Sequence, residues 1–245
     1  KGAAITDGIV MSGGTGSYSG AFIGNGIYQN SAEVNGFSKV SVLNGGIAMN
    51  GGGGESSKAG IGHSNRDDTG AMSGAVEVDI AEGGLFMMGG SGMNTSATIG
   101  HEKVGSSTTM NGSVDVDVRK GNITLTGGTG AYANATIGHA GRSGTSTSNG
   151  NVTVIAGEGD ITLNGGNGTL STNFATARIG HGGWESGDKT GIITVTASDG
   201  SILVQGGLGN TTTSTYNFAQ IGHGGYGNGA TQNIVDQAIH VTAGN

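Results

Sequence analysis

The stretch GNITLTGG, residues 121–128, has five further copies along the chain. All copies carry two apolar residues in alternation before a glycine pair, and the others are DGIVMSGG (7–14), GGIAMNGG (45–52), GGLFMMGG (83–90), GDITLNGG (159–166) and GSILVQGG (200–207). Their first apolar residues are 38, 38, 38, 38 and 41 residues apart. A fixed period of this length indicates a repeat architecture, in which stacked copies bury one continuous core.

Two other segments recur with a similar period. One precedes the glycine-pair motif and is found as AVEVDI (75–80), SVDVDV (113–118), NVTVIA (151–156), IITVTA (192–197) and AIHVTA (238–243). The other contains Ile-Gly-His, with its isoleucine at Ile61, Ile99, Ile137, Ile179 and Ile221. Apolar and polar residues alternate in each segment, which is typical of strands. Each repeat of 38–42 residues therefore has three predicted short strands.

The repeat predicts an all-β fold, a parallel β-solenoid of about six turns that forms a single domain over residues 1–245. One turn per repeat fits three strand motifs better than two turns of about 20 residues each. The predicted core rows are Ile9, Ile47, Leu85, Ile123, Ile161 and Ile202, then Met11, Met49, Met87, Leu125, Leu163 and Val204, then Val78, Val116, Val154 and Val195. Polar segments such as 102–112 and 140–150 are predicted loops.

Composition excludes several classes of function. Glycine accounts for 55 of the 245 residues, and proline and cysteine are absent. Without cysteine there are no disulfides, no thiolate catalysis and no cysteine-ligated metal sites. The net charge of −7 and the lack of a basic run argue against nucleic acid and anionic membranes as partners. No apolar stretch approaches the ~18 residues of a membrane span.

The segments GSVDVDVRKGNITLTGG (112–128), GNVTVIAGEGDITLNGG (150–166) and AQIGHGG (219–225) resemble the repeats of filamentous-haemagglutinin-like large exoproteins. The resemblance extends over essentially the whole chain. It implies a right-handed parallel β-helix in a bacterial protein that is secreted or held at the cell surface. It also implies a role in adhesion or extracellular scaffolding, and it transfers no catalytic residue.

The Ile-Gly-His motif places one histidine in each of five repeats. With Asn25 at the sixth position, the predicted structural ladder consists of Asn25, His63, His101, His139, His181 and His223. Stacked imidazoles can hydrogen-bond to neighbouring turns, as amides do in stacked strands. The alternative is a metal site, but zinc requires three or four converging ligands, and a straight column presents its rings side by side. We therefore predict no resident metal and no cofactor.

The densest acidic cluster consists of Glu77, Asp79, Asp115 and Asp117, which the repeat places in two adjacent pairs on an outer face. Like charges in register are destabilising, and Lys39, one repeat earlier, relieves part of the repulsion. Calcium is the cation that such oxygen ligands would take, so these four residues are weak cation candidates. The alternative is a solvated acidic face.

These observations favour an extracellular structural or adhesive rod, a filament building block without enzymatic activity. The alternative function is a carbohydrate-binding or carbohydrate-processing parallel β-helix, in which carboxylates would be grouped with basic residues. The one basic residue placed next to the acidic cluster is Lys39. No repeat is interrupted, as a catalytic groove would require. The predicted partners are further copies joined end to end through open solenoid ends, or continuation within a longer chain, together with a surface glycan or protein target.

Overall fold

The structure, a computed structural model, describes residues 8–28, 32–66, 69–105, 108–168, 174–208, 216–224, 234 and 237–244. These residues form strands and connecting turns without a helix. The strands belong to five parallel sheets, which we number I to V in the order in which one repeat passes through them. The fold is therefore the parallel β-solenoid that the repeat predicts. The described part of the chain has no helix with the length and apolar character of a membrane crossing.

Three sheets of six strands correspond to the three predicted segments. Sheet I, from the glycine-pair motif, contains Ile9–Ser12, Ile47–Asn50, Leu85–Met88, Ile123–Thr126, Ile161–Asn164 and Ile202–Gln205. Sheet II, from the Ile-Gly-His motif, contains Ala21–Ile23, Ala59–Ile61, Ala97–Ile99, Ala135–Ile137, Ala177–Ile179 and Ala219–Ile221. Sheet V contains Ser38–Val42, Val76–Ile80, Val114–Lys120, Val152–Glu158, Ile193–Ala197 and Ile239–Ala243.

The prediction that segments such as 102–112 and 140–150 are loops is wrong, because they contain two further strands per turn. Sheet III contains Gly26–Tyr28, Ser64–Arg66, Glu102–Val104, Ala140–Thr145 and Gly182–Ser186. Sheet IV contains Val34–Asn35, Met72–Ser73, Thr109–Asn111, Thr147–Asn149 and Lys189–Thr190. Pairing with the next turn satisfies the main-chain polar groups of these polar segments. Within sheet IV, Val34, Met72 and Met110 form a small second apolar cluster.

Every turn lies in register on the next. Ile99 pairs with Ile137, 38 residues later, and Ile137 pairs with Ile179, 42 residues later. The four additional residues lie between Asn164 and Ala177, so the sheets themselves keep their alignment. The described strands make five complete turns from Ile9 to Ile202 and continue into part of a sixth.

The predicted core rows are confirmed. Ile47, Leu125 and Val154 are representative, since each is fully buried in one continuous core between sheets I, II and V. Val204 is 45 % exposed, because its strand has a neighbour on one side alone among the described strands. The core thus runs the length of the described turns and is covered least at the last one.

The glycine of the Ile-Gly-His motif allows the chain to turn between sheets II and III. Gly100 and Gly138 both have a φ of 133°, which side-chain-bearing residues rarely adopt. A Cβ atom on Gly138 would also overlap the carbonyl oxygen of Gly180 in the next turn. This corner therefore requires glycine for its backbone angle and for the close approach of successive turns.

Candidate functional site

The five histidines form a continuous buried stack along the corner between sheets II and III. The ring centroids of His63 and His101 are 4.8 Å apart, and those of His101 and His139 are 4.6 Å apart. His181 and His223 extend the stack with steps of 4.6 and 4.9 Å. These steps equal the spacing of neighbouring strands, so the rings follow the stacking of the turns.

Both nitrogens of each imidazole have a defined partner. The main-chain N–H of His101 donates to Nδ1 of His139 at 3.1 Å, and that of His139 donates to Nδ1 of His181 at 3.0 Å. At the first position, the main-chain N–H of Asn25 donates to Nδ1 of His63 at 3.2 Å. Because Nδ1 accepts, the proton lies on Nε2, which donates to a glycine carbonyl oxygen such as that of Gly112, 3.0 Å from His139.

Burial keeps the imidazoles of His101, His139 and His181 neutral. Desolvation, helped by the neighbouring ring of His63, lowers the pKa of His101 from 6.5 to about 4. Desolvation also lowers the pKa of His181 to about 3, and it holds the pKa of His139 well below 6.5. Protonation of Nδ1 would remove the acceptor of a main-chain N–H as well as charge a buried ring, so the neutral form belongs to the folded state.

The geometry of the stack differs from that of a zinc site. The rings of His63 and His101 are 2° from parallel, whereas tetrahedral zinc needs lone pairs that converge on one point. Each Nδ1 lone pair already accepts a main-chain hydrogen bond. Within the described residues, no group of three or more histidine, aspartate or glutamate side chains is arranged to hold a metal ion.

The acidic cluster lies on the outer face of sheet V. Glu77 pairs in register with Asp115, and Asp79 pairs with Asp117. Lys39 places its Nζ 2.8 Å from Glu77 Oε2 and 3.1 Å from Asp79 Oδ2. Hydrogen bonding to Glu77 and then to Asp79 raises the pKa of Lys39 above 10.5. The cluster is therefore an adjacent set of carboxylates with an ammonium group bound at one end.

A second arrangement of charged groups lies in a cleft between sheets II and III. Thr98, Thr136 and Arg178 point away from the main core, yet they are at most 2 % exposed. They line the cleft together with sheet III residues that include Glu102 and Arg142. Sheet III, which was predicted as loop, supplies the wall that buries them.

One wall of the cleft contains a buried ion pair. Lys58 Nζ lies 2.7 Å from Glu102 Oε1, and both side chains are almost fully buried. The Ser96 hydroxyl donates to the same oxygen at 2.6 Å, and the Thr98 hydroxyl donates to Glu102 Oε2 at 3.2 Å. A buried carboxylate needs this many donors to offset its lost hydration.

Aromatic rings support two guanidinium groups at the other side of the cleft. The Arg142 guanidinium lies 4.5 Å from the centre of the Tyr132 ring, and that of Arg178 lies 5.4 Å from the Phe218 ring. Desolvation lowers the pKa of Arg142, while Tyr132 and Glu55 act in the opposite direction. Tyr132 also begins a ladder of three stacked rings that continues through Phe174 and Tyr216 with centroid steps of 5.3 and 4.7 Å.

Sequence reasoning missed this cleft, although a signal was present. At the repeat position of Lys58 the next turns carry Ser96 and Asn134, and at the position of Glu102 they carry Ala140 and Gly182. Lys58 and Glu102 are thus single charged residues in otherwise neutral columns. Such a residue indicates that its surroundings differ from those of the equivalent residues in the other turns. The partners could not be paired from the period, because Lys58 and Glu102 are 44 residues apart.

No known family model matches the chain, and comparisons with curated proteins and with solved structures return no match.

Proposed function

We propose that this chain is a structural and adhesive element of a bacterial surface or extracellular matrix, a rod or filament building block without enzymatic activity. The single observation that carries this proposal is the unbroken register of the turns. In sheet I, Ile9, Ile47 and Leu85 begin a row that continues to Ile202 without a shift. Such a regular stack holds its surface features at fixed spacing along one axis.

The histidine stack supports a mechanical role over a catalytic one. A general base needs a nitrogen lone pair within reach of a substrate proton. In this stack, Nδ1 of His139 accepts from the main chain and Nε2 donates to Gly112. The rings of His101, His139 and His181 are also fully buried. These interactions tie each turn to the next at a corner where ordinary strand pairing ends.

The strand edges at the last turn support joining of rods end to end. The strand Ile239–Ala243 pairs with Ile193–Ala197 on one side, and Ile239 and Val241 are each 50 % exposed. Val241 continues the core row of Val195, and among the described strands Ile239–Ala243 has a neighbour on one side alone, so this apolar strand can pair with a further one. A second copy, or further turns of a longer polypeptide, would complete this edge.

Electron microscopy and sedimentation of the purified chain over a range of concentrations test the assembly. We expect filaments or end-to-end oligomers in the wild type and single short rods in Val241→Lys, because a lysine on the edge opposes strand addition. Met88→Lys is the matched control, since Met88 is 48 % exposed on the outer face of a central turn. Single rods at every concentration in the wild type would contradict self-association.

Fractionation of the bacterium that makes the protein tests its location. Antibodies against the folded chain should detect it at the surface of intact cells or in the medium. Recovery from the cytoplasm alone would contradict the extracellular role. A binding assay of coated beads on cells or immobilised glycans then tests adhesion, with beads carrying the unfolded chain as the control.

A further inference from the structure

The histidine stack contains the same hydrogen bond between every pair of adjacent turns. The main-chain N–H of one ladder residue donates to Nδ1 of the ring in the next turn, at 3.0–3.2 Å, in all five steps from Asn25 to His223. Two neighbouring turns therefore cannot close this corner in native register unless one imidazole is available as an acceptor.

The acceptor form of each ring is the neutral one. A protonated imidazole carries N–H groups on both nitrogens and accepts no hydrogen bond. Nδ1 of His139 faces the main-chain N–H of His101 at 3.1 Å, so a proton on this nitrogen would set two donors against each other. Nε2 of His139 already donates to the carbonyl oxygen of Gly112 at 3.0 Å. A charged ring must therefore release a proton before its turn can join the stack.

The surroundings of the stack oppose protonation. Desolvation is the main cause of the lowered pKa of four rings, those of His101, His139, His181 and His223. Adjacent imidazoles lower the pKa of the first three further, and the cations Lys189 and Arg178 act in the same direction at the end of the stack. The described groups that act on these four rings include no carboxylate, so a protonated ring would have no counter-charge.

Folding and unfolding of the rod meet the stack in different states. In a stacked repeat protein, folding starts from a few adjacent turns and then spreads along the array. Because every adjacent pair is joined by one ring, a nucleus anywhere along the stack includes a neutral imidazole. In the folded rod, the rings of His101, His139 and His181 are fully buried and each Nδ1 lone pair is occupied. A proton can therefore reach these nitrogens only after a turn has opened.

We propose that the histidine stack makes the folding rate of the rod depend on pH, while the unfolding rate of the completed rod does not. In mild acid, charged imidazoles in the unfolded chain delay the nucleus. A rod that folded at neutral pH keeps its rings neutral and persists when the pH falls. Histidine is the side chain that ordinarily titrates between pH 5 and 8, so it suits this control. The device acts within one chain and does not depend on the extracellular role or on end-to-end assembly, so the two proposals fail separately.

Refolding and unfolding rates of the full chain at about pH 7.5 and about pH 5.5, followed by circular dichroism, test the proposal. An imidazole in an unfolded chain is neutral in about nine-tenths of the molecules at the higher pH and in about one-tenth at the lower. We therefore expect the refolding rate constant to fall at least about tenfold, and the unfolding rate constant in urea to change by less than about twofold. Equal refolding rates at the two pH values, or unfolding that accelerates about tenfold in acid, would overturn the proposal.

His139→Asn tests the role of the ring itself, because asparagine keeps an acceptor and a donor and does not titrate. The two turns joined at this position can then form a nucleus at either pH, so the ratio of the two refolding rates should fall towards one. His240→Asn is the matched control, since His240 is the one histidine outside the stack and is exposed on sheet V, and its ratio should equal that of the wild type. A ratio for His139→Asn as large as that of the wild type, or an equal fall in both variants, would overturn the proposal. If His139→Asn does not fold, the wild-type rates decide the proposal by themselves.

Discussion

The main-chain N–H of His139 donates a 3.0 Å hydrogen bond to Nδ1 of His181, while the two rings stack with their centroids 4.6 Å apart. The His181 side chain thus accepts a hydrogen bond from the backbone of the preceding turn and also stacks on the ring of His139. The same relationship joins His181 to His223, where the N–H to Nδ1 distance is again 3.0 Å. Removal of one ring should therefore affect two neighbouring turns.

Replacement of His139 by alanine should destabilise the fold by about 3–5 kcal/mol. The change leaves the main-chain N–H of His101 and the carbonyl oxygen of Gly112 without their partners, at about 1–3 kcal/mol each, and it opens a cavity in a packed stack. Urea unfolding measures the loss. His240→Ala is the control, because His240 is exposed on the last strand of sheet V and should change stability by less than about 0.5 kcal/mol. Similar losses in both variants would contradict the account of the stack.

The stability of the fold should fall as the pH is lowered from 6.5 to 5. The buried rings of His101 and His181 have folded-state pKa values below the unfolded value of 6.5, about 4 for His101 and about 3 for His181. The unfolded chain therefore binds more protons in this window, and each such ring costs about 1.6 kcal/mol of stability between pH 6.5 and 5. The loss ends once the pH falls below the folded-state pKa. Unfolding free energies measured at pH 7.5, 6.5 and 5 test this, and constant stability would show that the rings titrate alike in both states.

Gly138→Ala should prevent folding or cost more than about 4 kcal/mol. Its φ of 133° is strained for alanine, and the added Cβ would meet the backbone of Gly180 in the next turn, which cannot move without breaking register. Gly206→Ala is the control, since a Cβ at that position meets nothing within 4 Å. Thermal melts of the two variants should differ sharply. A melt of Gly138→Ala close to that of Gly206→Ala would mean that successive turns are not packed this tightly.

Glu102→Gln should destabilise the fold by about 3–5 kcal/mol, because it leaves the Lys58 ammonium buried without its counter-charge. The double variant Lys58→Met with Glu102→Leu should recover most of this loss, since no buried charge then remains. Chemical denaturation of the double variant and of its two component single variants, Lys58→Met and Glu102→Leu, measures the coupling. Additive losses in the double variant would indicate that the two side chains do not interact.

The sequence was sufficient for the three sheets that face the main core and insufficient for the other two. Alternating rows such as Val116 and Leu125 recur in every turn, so the period identifies them. In sheet IV the inward position changes from Met110 to Ser148 and then to Lys189. Because that column loses its apolar character after three turns, alternation does not reveal it, although the pairing of main-chain groups continues.

The candidate sites differ in the same way. The histidine column follows the repeat, so its position could be predicted from the sequence. Its hydrogen bonds could be identified in the structure alone. The cleft combines Lys58 of one turn with Glu102 of the next and Arg178 of a later one. Such contacts cross turns and sheets at spacings unrelated to the period. They depend on the fold of sheet III, which the sequence did not indicate.

The most direct test of the central claim, one turn per repeat in continuous register, is a distance along the rod. The chain has no cysteine, so Val10→Cys and Leu203→Cys introduce two unique spin-label positions, and both residues are exposed on sheet I. Five strand steps separate them, so electron–electron double resonance should report a backbone separation of about 24 Å with a narrow distribution. A separation of about 48 Å, as expected from two turns per repeat, or a broad distribution would contradict the account.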